Sequence, residues 1–203
     1  PGDLEEAVRT IAQGSVRDVD VGEANGRVFV NNSSIGVYPA VVSLRDAWME
    51  QGSMHKWVAM GRALIDTLRR FPVVRLTLRA GEGGTSLSTP MIFIGNNRYE
   101  TRLFALGQRE RLDEGALWVY LVRDEGRLGL ARFVFRALTG RLDEQRDFQG
   151  LGVKEMRVED RRRRLLRVAF DGEVCHLPPP LTYRIRPGAL RVLVPAPLEA
   201  APA

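Results

Sequence analysis

Two carboxylates lie two residues apart in Asp171-Gly172-Glu173, a tripeptide that interrupts two segments typical of β-strands. Side chains at positions i and i+2 of a strand point to the same face, so Asp171 and Glu173 could present both carboxylates to one place. Such a pair can bind Mg²⁺ through oxygen, or one member can accept a proton from an attacking hydroxyl group. The spacing alone favours the alternative, an acidic turn without chemistry.

Asp113-Glu114-Gly115 precedes another predicted strand. Its acids and nearby carbonyl groups could hold a hard cation, although a turn also explains the pattern. The glycine-rich segment Gly81–Thr85 could cradle phosphate with its backbone amides. It joins two predicted strands, leads into no helix and contains no lysine, so we predict a hairpin turn.

The most concentrated basic segment is Arg161–Arg164, which follows Glu159 and Asp160 at the turn of a predicted hairpin. A solvated turn and a patch that meets anionic lipid or phosphate both explain it. Cys175 and His176 are neighbours on a predicted strand and therefore face opposite ways, which excludes a nucleophile and base pair. The single cysteine also excludes an internal disulfide, as expected of an intracellular protein.

The 203 residues are 44% hydrophobic, enough for one core, and carry a formal net charge of +5. Lys56 and Lys154 are the two lysines among 30 basic residues, and most of the arginines are interspersed with acids. Aromatic residues make up 7% of the chain, and none interleaves with Arg161–Arg164, which argues against stacking on nucleic-acid bases. No segment approaches the roughly 18 to 20 apolar residues of a membrane span.

Hydrophobic periodicity predicts one mainly β (α+β) domain over residues 1–203, an antiparallel β-sandwich-like domain decorated by two or three helices. Asn25-Gly26 predicts a hairpin between Val16–Glu23 and Arg27–Asn31. Helices are expected at Asp3–Gln13, in two pieces over Tyr38–Arg70, and at Leu128–Leu138. The other predicted strands are Val73–Arg79, Leu87–Gly95, Leu117–Val122, Val153–Val158, Leu165–Phe170, Glu173–Leu177, Leu181–Ile185 and Leu190–Val194.

Several motifs together resemble one family, the bacterial diacylglycerol kinase and sphingosine kinase-like lipid kinases. The stretch from Asp3 to Gly14, then Asp18–Gly22 and Phe29–Gly36, resembles the segment that follows that family's nucleotide-binding motif. Asp113–Leu117 resembles its metal-binding turn, and Asp171-Gly172-Glu173 resembles its late acidic motif. The order and spacing of these motifs match over nearly the whole chain.

The resemblance implies transfer of the ATP γ-phosphoryl group to a hydroxyl of a lipid such as diacylglycerol, with Mg²⁺ as cofactor and ATP as co-substrate. It implies that Glu173 accepts the hydroxyl proton and that Asp171 supports the metal and water network. It also implies a second, structural Mg²⁺ held by the Glu114 side chain and the carbonyls of Arg111 and Ala116. Glu114 stands here for the family's usual aspartate, and Ala116 for its usual leucine.

The family's Gly-Gly-Asp-Gly-Thr loop, which binds ATP phosphates in an N-terminal α/β domain, has no counterpart in this sequence. The resemblance therefore implies a C-terminal, substrate-side domain that is inactive alone, in keeping with the start at Pro1. Residues 1–14 and 180–203 are expected to pack on the absent domain.

The expected partner is a lipid substrate at a membrane surface, reached from the cytoplasm by a peripherally associated protein, with a homodimer as a further expectation and no nucleic acid. The alternative is a non-catalytic β-rich module that binds anionic lipid or nucleic acid.

Overall fold

The computed structural model describes residues 4–36, 65, 74–80, 83–99, 109, 111–122, 126, 128–132, 148–160 and 163–195. Of the predicted helices in Tyr38–Arg70, all but residue 65, which is helical, lie outside the described residues. The elements in chain order are α1 (Leu4–Gln13), β1 (Ser15–Ala24), β2 (Arg27–Phe29), β3 (Asn32–Gly36), β4 (Val74–Ala80), β5 (Gly83–Thr89), β6 (Met91–Asn96), β7 (Leu117–Val122), β8 (Phe148–Val153), β9 (Glu155–Glu159), β10 (Leu166–Phe170), β11 (Glu173–Leu177) and β12 (Leu181–Val194). Residues 128–132 are also helical, within the predicted Leu128–Leu138.

The described strands form two antiparallel sheets of six strands each, which confirms the predicted sandwich-like fold. The first sheet has the order β2-β1-β12-β9-β4-β5, and the second has the order β11-β10-β3-β6-β7-β8. The predicted hairpin at Asn25-Gly26 is confirmed, since both residues have positive φ, 47° and 84°, and join β1 to β2. The hairpin predicted at Gly81–Thr85 is confirmed by the pairing of β4 with β5.

Of the predicted strands, one ends early where the chain changes sheet, and two are each divided between the two sheets. Arg27–Asn31 ends at Phe29 in the first sheet, and the chain resumes as β3 in the second. Leu87–Gly95 divides at Pro90, which has no N–H to donate to a sheet. Val153–Val158 divides at Lys154, between β8 of the second sheet and β9 of the first. Alternation of side chains does not reveal such crossings, because both halves keep one face toward the shared core.

Two further expectations about the last third of the chain are wrong. Leu181–Ile185 and Leu190–Val194 belong to one strand, β12, because Pro187 and Gly188 form a bulge within it. The strands on either side of Arg161–Arg164, β9 and β10, are in different sheets and do not form the predicted hairpin, while Arg161 and Arg162 themselves lie outside the described residues.

The main core fills the space between the sheets. Buried side chains from both sheets meet there, including Phe29, Ile92, Val158 and Leu181. A buried hydrogen bond of 3.0 Å between Ser33 Oγ on β3 and the Tyr183 hydroxyl on β12 also joins the two sheets. Odd-numbered residues of β6 pack instead in a second cluster, so β6 is buried on both faces. This cluster consists of Met91, Phe93, Tyr99, Tyr120 and Val122.

Candidate active site

Asp171 and Gly172 form the tight turn between β10 and β11. Both have positive φ, 48° and 91°, as required at the two central positions of a type I′ turn. Glu173 is the first residue of β11, paired with Phe170 across the hairpin. Asp171 therefore does not lie on a strand, and the premise that it shares a strand face with Glu173 is wrong, because strand alternation does not extend through a turn.

The Asp171 carboxylate binds the backbone of residues 30–32, which we call the crossover segment because the chain passes there from the first sheet to the second. Its Oδ2 accepts from Val30 N at 2.8 Å, and its Oδ1 accepts from Asn31 N at 2.8 Å and from Asn32 N at 3.0 Å. Three amides that pair in neither sheet are thereby satisfied. The structure thus assigns Asp171 a clear structural contact, tying the turn before Glu173 to the crossover segment.

The carbonyl groups of the crossover segment are satisfied from the other side. Val30 O accepts from Asn96 Nδ2 at 2.8 Å and from Arg109 Nη1 at 2.9 Å. Asn31 O accepts from Asn96 N at 2.9 Å and from the Tyr99 hydroxyl at 3.0 Å. The crossover segment is therefore fixed by side chains from three other parts of the chain.

Arg109 also fixes the side chain of Asn31. Its Nη1 also donates to Asn96 O at 2.9 Å, its Nη2 donates to Asn31 Oδ1 at 3.0 Å, and its guanidinium lies 5.6 Å from the centre of the Tyr99 ring. In the part of the chain that the structure describes, Arg109 contacts neutral acceptors and no carboxylate. Its contacts fix the position of the Asn31 amide beside the Asp171 turn.

The Glu173 side chain is exposed at the start of β11. Within the described residues no hydrogen bond or ion pair engages its carboxylate. A carboxylate that is open to solvent and attached to a fixed turn can accept a proton from a bound hydroxyl group. Of the two acids in the tripeptide, Glu173 is the one that the structure leaves available.

The predicted metal-binding residues lie in the turn at residues 111–116, and the buried Asp20 of β1 secures this turn. Asp20 Oδ2 accepts from Gly115 N at 2.7 Å, and Asp20 N donates to Leu112 O at 2.8 Å. Asp20 Oδ1 accepts from Gly188 N, in the bulge of β12, at 2.9 Å. Asp20 O also accepts from Asn96 Nδ2 at 2.8 Å, which connects this turn to the crossover segment.

Two of the three groups implied as metal ligands, the Glu114 side chain and the Ala116 carbonyl, accept hydrogen bonds from the protein. Glu114 Oε2 accepts from Arg98 N at 3.0 Å and from Trp118 Nε1 at 3.2 Å, and Ala116 O accepts from Asn97 N at 3.0 Å. Arg111 directs its side chain to Asp113, with Nε 3.0 Å from Oδ1. That hydrogen bond lowers the pKa of the Asp113 carboxyl. Across the described ranges, no group of three or more His, Cys, Asp or Glu side chains is placed to hold a metal ion. Mg²⁺ bound by Glu114 Oε2 and the Ala116 carbonyl would compete with the hydrogen bonds that these two oxygens accept.

The structure brings the predicted site residues into two neighbouring places. Asp171 and Glu173 lie against the crossover segment, whereas Arg111, Glu114 and Ala116 lie in the turn held by Asp20. In the basic segment, Arg163 pairs with Asp160, its Nε 3.7 Å from Oδ2.

Sequence reasoning missed the residues that organise both places: Asp20, Asn31, Asn96 and Arg109. One signal was present, because Asp20 is an acid between two valines, Val19 and Val21, and it is buried in the structure, only 3% exposed. A buried acid requires partners, so it predicts a hydrogen-bonded structural role. Arg109 carried no such signal, since it is one of many arginines in a charged segment.

Comparison with known proteins identifies the family of this chain. A family model described as the YegS C-terminal NAD kinase beta sandwich-like domain matches residues 37–194. Two solved structures of proteins assigned as diacylglycerol kinases from Bacillus anthracis str. Sterne align with TM-scores of 0.66 and 0.65 at 22% and 20% identity. A third, a diacylglycerol kinase from the same organism, aligns with a TM-score of 0.58 at 15% identity.

Each alignment covers 94% of this chain, but the chain spans only 61%, 61% and 58% of the three matched chains. At these identities the three structures show a shared fold. The family model covers most of the chain and confirms the C-terminal domain that the motifs predict. The chain therefore belongs to the YegS C-terminal NAD kinase beta sandwich-like domain family.

Proposed function

We propose that this chain is the substrate-side domain of a lipid kinase and that Glu173 is its general base. The family supports a kinase-type enzyme, and the diacylglycerol kinases of similar fold suggest a diacylglycerol-like substrate. The observation that carries the proposal is the exposed Glu173 carboxylate, which has no partner in the described part of the chain and directly follows a turn fixed by Asp171.

In the proposed reaction a lipid hydroxyl oxygen attacks the γ-phosphorus of ATP. The bond between that phosphorus and the β,γ-bridging oxygen breaks, ADP leaves, and the hydroxyl proton passes to Glu173. Mg²⁺ enters with ATP as part of the substrate and supplies charge neutralisation on the phosphates. Phosphoryl transfer depends mainly on positioning, so the contribution of this domain is to hold Glu173 at the hydroxyl group.

The turn before Glu173 is well suited to that task. Both oxygens of the Asp171 carboxylate accept backbone hydrogen bonds, three in all, which leaves Glu173 as the free carboxylate of the pair. Arg109, Asn96 and Tyr99 hold the opposite side of the crossover segment, so the turn rests on a fixed support. A base on a fixed support loses little orientational freedom when substrate binds.

We also propose that the protein associates peripherally with the cytoplasmic surface of a membrane, where it meets the lipid. A homodimer is a further part of this proposal. No helix within the described residues is long and apolar enough to cross a membrane. Arginines near the site would attract anionic lipid, each worth about 1 kcal/mol close to the surface.

The proposal is tested by lipid-dependent ATP turnover on mixed micelles that contain diacylglycerol. A longer protein that includes the ATP-binding part is expected to phosphorylate the lipid, whereas this chain alone is expected to show no turnover above buffer. Turnover by this chain alone would contradict the proposal that ATP is bound by a separate part of the longer protein. A longer protein that binds the micelles but never phosphorylates lipid would favour the non-catalytic alternative.

A further inference from the structure

The turn at residues 111–116 is where the family resemblance implies a structural Mg²⁺, yet its carboxylate is engaged by protein donors. Glu114 Oε2 accepts hydrogen bonds from Arg98 N and from Trp118 Nε1. The Arg98 guanidinium lies 4.8 Å from the centre of the Trp118 ring, so the same two residues also contact each other. A cation that bound this oxygen would compete with both hydrogen bonds.

The oxygens around Glu114 are occupied in the same way. Ala116 O accepts from Asn97 N, and the two carboxylate oxygens of Asp20 accept from Gly115 N and Gly188 N. Asp113 Oδ1 is held by Arg111 Nε at 3.0 Å. Mg²⁺ requires near-octahedral coordination by oxygens at about 2.0–2.1 Å, so binding through Glu114 Oε2 and Ala116 O would compete with the hydrogen bonds that these two oxygens accept.

The charges around the turn at residues 111–116 also disfavour binding of a cation. Arg17 and Arg111 both approach Asp113, at 3.7 Å and 3.0 Å, and Arg98 lies beside Glu114 through its backbone amide and its contact with Trp118. The turn has three carboxylates, those of Asp113, Glu114 and the buried Asp20, and three neighbouring guanidinium groups, so no excess of negative charge attracts a divalent cation. Repulsion between like charges disfavours a further cation at this place.

We propose that the turn at residues 111–116 is held by protein hydrogen bonds alone and takes no divalent cation, with Glu114 bonded to Arg98 and Trp118 in the place of the metal. The longer glutamate side chain reaches both donors and satisfies the Trp118 indole N–H. This inference stands apart from the proposed kinase reaction, because it concerns the folding of the turn and not the chemistry at Glu173.

Thermal unfolding of this chain in EDTA and in millimolar Mg²⁺, at matched ionic strength, tests the inference without any activity assay. Ligand at about 100 times its dissociation constant would raise the melting temperature by roughly 5–10 °C for a protein of this size. We expect a difference below about 1 °C. Glu114→Gln keeps an acceptor for the Arg98 and Trp118 donors, and its melting temperature is expected to be equally insensitive to Mg²⁺.

Trp118 provides an independent readout, because its indole N–H contacts the proposed ligand directly. Trp118 emission is isolated by subtracting the spectrum of Trp118→Phe, which removes the contribution of the other tryptophans. We expect no change on addition of Mg²⁺. A saturable Mg²⁺-dependent rise in melting temperature that Glu114→Gln abolishes, or a saturable change in Trp118 emission, would overturn the inference. A rise that Glu114→Gln leaves intact, with Trp118 emission unchanged, arises at another site and agrees with it.

Discussion

Asp171 and Asn32 are joined by two hydrogen bonds that run in opposite directions. Asp171 Oδ1 accepts from Asn32 N at 3.0 Å, and Asp171 N donates to Asn32 O at 2.9 Å. The first residue of the β10–β11 turn is thereby paired with the first residue of β3, which adjoins β10 in the second sheet. Glu173 lies two residues further along, so its position depends on this pair.

Asp171→Asn is expected to destabilise the chain although it preserves the size of the side chain. An amide offers one acceptor oxygen, and its NH₂ group would face at least one backbone N–H that now donates to a carboxylate oxygen. We expect a loss of about 1–3 kcal/mol in the free energy of unfolding, measured by urea denaturation. In the longer protein we expect a lower kcat because the support of Glu173 is loosened.

Asp18→Asn is the matched control for Asp171→Asn. Asp18 is an exposed acid on β1, and its Oδ1 lies 3.8 Å from Arg191 Nε. Its change is expected to stay within about 0.5 kcal/mol. If Asp171→Asn were as stable as the control and yet inactive, Asp171 would act in the chemistry and not as a support.

Arg109→Met tests the opposite side of the crossover segment. Methionine preserves the packing of the stem but cannot donate to Val30 O, Asn96 O or Asn31 Oδ1. We expect a loss of about 1–2 kcal/mol in unfolding free energy and faster hydrogen exchange at Asn96 N–H, which bonds to Asn31 O. Exchange rates are measured by NMR, and Arg191→Met on the exposed part of β12 serves as the control. Unchanged exchange at Asn96 would contradict the role assigned to Arg109.

The buried Tyr183 predicts how stability depends on alkaline pH. Burial raises the pKa of Tyr183 above its ordinary value of 10.0, although the hydrogen bond with Ser33 opposes that rise. The folded state therefore holds the phenol proton more tightly than the unfolded chain does. This contribution to stability is complete below pH 10 and is lost as the pH rises through the raised pKa of the folded state.

Tyr183→Phe has no phenol proton to lose, so its stability relative to the wild type should improve above pH 10 by about 1.4 kcal/mol per pH unit. Urea unfolding of both proteins from pH 8 to pH 11 measures this difference. A difference that stays constant across the range would show that Tyr183 titrates alike in both states.

The exposed apolar face of α1 tests the expectation that residues 1–14 pack on an ATP-binding domain. Leu4, Val8 and Ile11 are 77%, 59% and 71% exposed, and α1 has no buried residue. Val8→Gln should therefore change the unfolding free energy of this chain by less than about 0.5 kcal/mol. In the longer protein it should lower the melting temperature, because the same face would be covered there. Equal melting temperatures would contradict the expectation.

Local patterns predicted the sandwich-like fold and the hairpins at Asn25-Gly26 and Gly81–Thr85, because each of these turns depends on neighbouring residues. Asn25-Gly26 fixes its turn through its own backbone preferences. The crossings at Phe29, Pro90 and Lys154 were missed because a change of sheet is decided by partners distant in sequence, such as Asp171 for residues 30–32. The same reason hid Arg109, whereas Glu173 could be proposed from the sequence because its motif is local.

The central claim, that Glu173 accepts the proton of the lipid hydroxyl, is tested most directly by the kcat of lipid phosphorylation for Glu173→Gln in the longer protein. Glu155→Gln, at an exposed glutamate that begins β9 in the other sheet, is the matched control. We predict that Glu173→Gln lowers kcat by about 10²- to 10⁴-fold with an unchanged melting temperature, while the control keeps the wild-type rate. A Glu173→Gln enzyme that keeps wild-type kcat would contradict the claim.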